Sequence, residues 1–161
     1  MKNILLSVDF SKNAKLVALQ TAEMAQLSKA RLIIFHAYCP VAVSDHDQEV
    51  GTSNERLVQT RLDKLACLLH KETGVSITRL MKPATNNNEA LEVARIVKAD
   101  IAVIYSQAIK HQKAVSITCY HGLHVLTVPT YSCFDQKAFQ AGLTEQLQLL
   151  GYTSSPLPEA I

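Results

Sequence analysis

No stretch of the chain approaches the ~20 consecutive apolar residues of a membrane span, and no charged leader precedes a signal-like apolar core; a cytoplasmic protein without membrane contact is expected. An excess of charge of one sign is missing as well. Sixteen basic residues face 14 acidic ones, for a formal charge of +2, and the basic residues are scattered, which excludes the footprint of a nucleic-acid binder. Cys39, Cys67, Cys119 and Cys133 show no CxxC spacing, so they are expected reduced and mostly buried rather than arranged as a disulfide framework. There is no internal repeat and no linker long enough to divide the chain into separate domains. At 161 residues and 48% hydrophobic, the chain suffices for one domain with a core that needs no staples.

What is present alternates between apolar runs and amphipathic stretches. Lys2 to Ser11 packs Ile4-Leu5-Leu6 against the polar elbow Ser7-Val8-Asp9-Phe10-Ser11, as expected of a parallel strand covered on both faces. Lys12 to Ser28 reads as a helix whose Ala14, Val17, Ala18, Thr21, Met24 and Ala25 form a stripe of mostly small residues, able to lie close on a sheet. Ala30 to Tyr38 is a second buried strand stopped by Cys39-Pro40, which completes a right-handed βαβ unit. Val41 to Gly51 reads as a solvated loop. Its His46-Asp47 is an acid/base pair in composition only, with no nucleophile to serve. Thr52 and Glu55 have capping-box spacing, Val58, Leu62, Leu65 and Leu69 share a face, and Gly74 is placed to end the helix.

Val75 to Met81 alternates like an edge strand and Pro83 closes it. Asn86 and Glu89 repeat the capping spacing ahead of Ala90, Val93, Ala94 and Val97. Asp100 to Tyr105 is a fourth strand, Ser106 to Gly122 reads as a turn and one short helix, and His124 to Thr130 is a fifth strand with Pro129 at an edge or an end. The order predicts an α/β domain with a five-stranded parallel sheet and helices on both faces. Phe139, Leu143, Leu147 and Leu150 then line one face of an added helix that Gly151 can end, ahead of a Pro/Ser tail. The organisation expected is 1–131 for the α/β domain and 132–161 for the appended helix and tail.

Four segments in this order resemble the universal stress protein family: Val8-Asp9-Phe10-Ser11 after the first strand, His36-Ala37-Tyr38, Ala99-Asp100-Ile101-Ala102-Val103-Ile104, and His124-Val125-Leu126-Thr127-Val128. The resemblance covers roughly Lys2 to Tyr131. It implies a Rossmann-like, adenine nucleotide alpha hydrolase-like sheet of order 3-2-1-4-5, and often a homodimer along the fifth strand. In nucleotide-binding members an acid after the first strand, matched here by Asp9, lies near the adenosine, and Gly-x-x-Gly-x9-Gly-Ser/Thr after the fourth strand wraps the phosphates. Asp9, Ala37 and Ser106 are therefore the expected nucleotide contacts if a nucleotide binds.

The glycines do not match. Counted from Tyr105, the motif positions fall on Ser106, Ile109 and Cys119, followed by Tyr120; counted back from the fifth strand, the third falls near His111. Glycine matters in such a loop because it reaches positive φ and lets backbone N–H groups approach phosphate.

Asp9 also suits a structural role as a cap of the first helix, and His36 suits a packed residue better than a base. Cys119-x-His121-x-x-His124 falls short of the four ligands a structural zinc wants. With the glycines missing, the expectation is a non-catalytic stress-response domain without a cofactor, acting through dimerisation or a protein partner; the scattered charge and short apolar runs leave no nucleic acid and no membrane involved. The alternative is a nucleotide-binding (ATP or AMP) or weakly ATP-hydrolysing protein, with magnesium, that holds phosphates through Lys110, Lys113 and a helix N-terminus.

Overall fold

The computed structural model describes residues 2–10, 14–38, 48–83, 89–106, 116–129 and 136–151, with backbone only for 48–54, 105, 106, 116, 129 and 136. Its elements are β1 (Asn3–Ser7), α1 (Ala14–Leu27), β2 (Arg31–Tyr38), α2 (Gln48–Thr73), β3 (Ile77–Pro83), α3 (Glu89–Ile96), β4 (Ile101–Ser106), β5 (Ser116–Tyr120), β6 (Leu123–Pro129) and α4 (Gln136–Leu149). They form one six-stranded sheet of order β3-β2-β1-β4-β6-β5. Every neighbouring pair is parallel except β5–β6.

Side chains alternate along each strand, so the sheet feeds two cores. Ile4, Leu6, Leu32, Ile34, Ile101, Val103, Leu126 and Val128 join α1, α2 and α4 on one face. Leu5, Ile33, Phe35, Ala102, Leu123 and Val125 meet Val93 and Ala94 of α3 on the other. The small stripe of α1 is buried as its spacing predicts, and its one polar member, Thr21, returns a hydrogen bond to the Val17 carbonyl at 2.7 Å. Gly74 ends α2 at φ +74°, its N–H bonded to the His70 carbonyl. The appended helix belongs to the same core: Phe139, Leu143 and Leu147 are buried in the α1/α2 cluster and Leu150 packs against it.

Several expectations are corrected. The segment read as a turn and short helix contains strand β5, so the sheet has six strands. The expected fifth strand is β6, an interior strand beside β4 that β5 covers, with Pro129 at its end. α2 begins at Gln48, inside the stretch read as loop, and not at Thr52–Glu55. Cys67 and Cys119 are exposed free thiols, not buried ones. Cys39, Cys133, the His46-Asp47 pair, the Asn86 cap, Lys110, Lys113 and the terminal tail lie outside the described residues.

Two short gaps explain the hairpin. Only nine residues, 107–115, separate β4 from β5, whereas a parallel crossover needs about a dozen or more. The chain therefore enters β5 from the end of the sheet at which it left β4. It returns through His121-Gly122, both at positive φ (47° and 85°), the combination of a two-residue type I′ hairpin turn.

Candidate functional site

In an open parallel sheet a ligand crevice forms at the carboxyl ends of the strands, where strand order reverses; here that point lies between β1 and β4. The β1–β4 register ends at Leu6↔Val103 and the β1–β2 register at Ser7↔Phe35. Continuing each upward sets Asp9 level with Ser106 on one side and Ala37 on the other. The three expected contact positions are thus brought to one height on three adjacent strands. Asp9 and Ala37 are half-buried. A cap by Asp9 would engage residues 11–13, which lie outside the described residues.

The elbow after β1 is held by its neighbours. The Val8 N–H donates to the Phe35 carbonyl at 2.7 Å, and His36 Nδ1–H donates to the Val8 carbonyl at 2.5 Å. His36 is therefore an anchor for the elbow, in keeping with a packed residue, and its ring lies 4.8 Å from that of Phe10. Phe10 has φ +55°, a conformation uncommon for a bulky residue. Nothing in the sequence signals it.

A second feature without a sequence signal sits beside Ala37. Ala37 pairs with Lys82 of β3, and Nζ of Lys82 stands 2.9 Å from Oε2 of Glu89 at the start of α3, a carboxyl only 2% exposed. The two groups form an ion pair at the edge of the sheet. Hydrogen-bond-range contact with Glu89 outweighs desolvation and, with the added charge of Glu89 and Glu92, holds the Lys82 ammonium above its ordinary value. From sequence, the buried Glu89 reads only as a capping residue.

The glycine-motif positions fare differently. Ile109 and His111 lie outside the described residues. Cys119 and Tyr120 lie in β5, opposite His124 and Leu123, and His124 is in turn level with Ile101, the first residue of β4. Five residues at ~3.3 Å each therefore put Cys119 about 16 Å below Ser106, at the wrong end of the sheet for a phosphate loop. The hairpin does bring Cys119 opposite His124, with His121 in the turn between their strands, but His124 Nδ1 is engaged with Oε1 of the buried Gln146 of α4 at 2.5 Å. Among the described residues no cluster of three or more His, Cys, Asp or Glu could hold a metal ion. No described helix is long and apolar enough to cross a membrane.

Comparison with known proteins agrees with this fold. No curated protein matches the chain. A universal stress protein of Burkholderia pseudomallei superposes with a TM-score of 0.55 at 21% identity, covering 63% of this chain and 79% of that one. The universal stress protein of Archaeoglobus fulgidus in complex with dAMP gives 0.51 at 18% identity over 65% and 81%. The universal stress protein UspA of Lactobacillus plantarum gives 0.53 at 11% identity over 94% and 92%. At these identities the superpositions establish the fold alone. The universal stress protein family model matches residues 1–117, so its match stops within β5, where this chain turns back as a hairpin. With most of its length matched, from the β1 elbow through the whole of β4, the chain belongs to the universal stress protein family.

Proposed function

We propose that this is a non-catalytic universal stress protein that does not hold ATP in the manner of nucleotide-binding relatives and acts in stress response, in the cytoplasm, by self-association or by binding another protein. The position of Cys119 carries the reading: the residue standing where the third motif glycine falls by direct count is in an edge strand about 16 Å from the crevice. The nine residues that do follow β4, Gln107 to Val115, contain no glycine. Hydrogen bonds to charged groups contribute about 1.5–3 kcal/mol each. Losing two or three of them weakens triphosphate binding by several orders of magnitude, since about 1.4 kcal/mol is tenfold. Asp9 cannot replace them, because a carboxylate suits the adenosine end and repels phosphate.

Titration calorimetry with ATP and magnesium is the test. No saturable heat at micromolar concentrations is expected; micromolar binding that is lost in Asp9→Ala would establish the nucleotide-binding alternative. That alternative draws on Asp9, Ala37 and Ser106 standing level at the crevice, and on the dAMP complex of the Archaeoglobus relative.

Self-association is proposed to use β5, which holds the sheet edge in place of β6. An open strand edge invites a second strand, and Tyr120 is 55% and Ile117 42% exposed there. Light scattering should give a homodimer that Thr118→Lys/Tyr120→Lys dissociates; a wild-type monomer at tens of micromolar would count against it.

A further inference from the structure

We propose that the groove between α1 and α2 is a second binding site, built for a small amphipathic anion: an apolar chain or ring carrying one carboxylate or similar acid group. The groove is open to solvent, offers about 310 Å³, and its floor is apolar, made by Val8, Phe10, Ala14, Leu65 and Leu68. That volume sits at the lower end of the ~300–1,000 Å³ of small-molecule pockets. None of Asp9, Ala37, Ser106 or β4 lines it; it adjoins the crevice between β1 and β4 only through Val8 and Phe10, on either side of Asp9.

Its remaining lining residues are all cations, Lys15 from the first turn of α1 and Arg61 and Lys64 from α2. Among the described residues no acidic side chain lines the groove, and none of the three cations is in an ion pair. Arg61, Lys64, Leu65 and Leu68 follow the i, i+3, i+4, i+7 spacing of one helix face, so α2 presents two charges and two apolar side chains to the same space. Like charges three apart on a helix repel each other. The arrangement therefore works against the empty protein, and an anion relieves it. The apolar floor has no such need of charge, and asks for a ligand that combines an apolar body with an acid group.

Phe10 joins the two halves. It is held in the left-handed region, where strain in a non-glycine residue tends to accompany a functional site. Its ring is braced by His36 on one side, and the Arg61 guanidinium stands 5.7 Å from its centroid, within the range of a cation–π contact. The ring thus serves as a wall of the groove and positions one of its cations.

The test is calorimetry and amide NMR on the full chain with octanoate, with octanol and octyltrimethylammonium as probes of the same chain length. The inference does not rest on the function proposed above, because these probes read the groove whether or not a nucleotide binds at the crevice. Octanoate should saturate one site with a dissociation constant below about 1 mM, shifting Val8, Phe10, Leu65 and Leu68, with octanol and the cation at least tenfold weaker. Arg61→Glu/Lys64→Glu, both exposed positions, should weaken octanoate at least tenfold, while Lys71→Glu on the same helix should not. Absence of saturation, equal binding of the cationic probe, or indifference to the charge reversal would overturn the proposal. The three probes on the unaltered protein decide it even if a variant misfolds.

Discussion

Removing the ring of Phe139 tests whether α4 is integral to the domain or an attachment to it. Phe139 is 0% exposed and shares a cluster with Leu143, Leu147, Leu126 and Val128, so Phe139→Ala leaves a cavity between α4 and the sheet. Phe→Ala changes in such cores cost about 3–5 kcal/mol. That is a large share of the roughly 5–15 kcal/mol by which a domain is stable. With a urea m-value of about 2 kcal/mol/M, the midpoint should fall by ~1.5–2.5 M. Thermal unfolding, at roughly 2–4 °C per kcal/mol for a chain of this size, should begin ~6–20 °C lower. The control is Leu149→Ala at a position 68% exposed, which should stay within about 0.5 kcal/mol. A loss below about 1 kcal/mol for Phe139→Ala at unchanged m would refute the reasoning, because it would mean that the helix is not held by this core.

Gly142 lies inside α4 with ordinary room above it: a Cβ would meet Ile117 Cδ1 at 3.6 Å and Leu126 Cδ2 at 3.9 Å. Gly142→Ala should therefore stabilise the fold by the ~0.5–1 kcal/mol that a helix-interior glycine costs, raising the urea midpoint by ~0.25–0.5 M at the same m-value. Lys82 is held above its ordinary 10.5 by Glu89, so its pairing with Glu89 stabilises the fold fully below that pH and fades as pH rises through the raised folded value. The difference in urea midpoint between wild type and Lys82→Met should be constant through neutral pH and shrink only above 10.5.

The elements of the fold that are legible in the sequence are those whose burial is one-sided or complete. β1, β2 and β4 show as unbroken apolar runs because helices cover both faces of them, and α1 shows as a stripe because one side of it meets the sheet. β5 lacks either signal: Ile117, Thr118, Cys119 and Tyr120 are all exposed, so no contrast between its faces marks it as a strand. The cue available is the gap of nine residues after β4 and the His121-Gly122 pair ahead of an apolar run. At the crevice, Asp9 is legible from its place after β1. The groove is not, because Lys15 lies far in sequence from Arg61 and Lys64, and only the packing of α1 beside α2 brings them together. Neither is the strain at Phe10, which follows from how β2 holds the elbow and not from any local pattern.

The hairpin also bears on the proposal that this chain does not hold ATP in the manner of nucleotide-binding relatives. A crossover that returns to the amino end of the sheet before starting a parallel strand needs about a dozen residues or more, and nine separate β4 from β5. Shortening the connection makes the next strand antiparallel, and the same change carries Cys119 and Tyr120 down to the amino end of β6. Restoring glycine at that end would not restore a phosphate site. Cys119→Gly would place a flexible residue in an edge ladder opposite His124 and leave the crevice untouched, so it should lower stability without creating affinity for ATP. Calorimetry of Cys119→Gly at the ATP and magnesium concentrations used for wild type is the check. Micromolar binding gained by that single change would mean that the chain can re-thread β5 as a loop, and would refute the proposed link between the short connection and the absence of ATP binding.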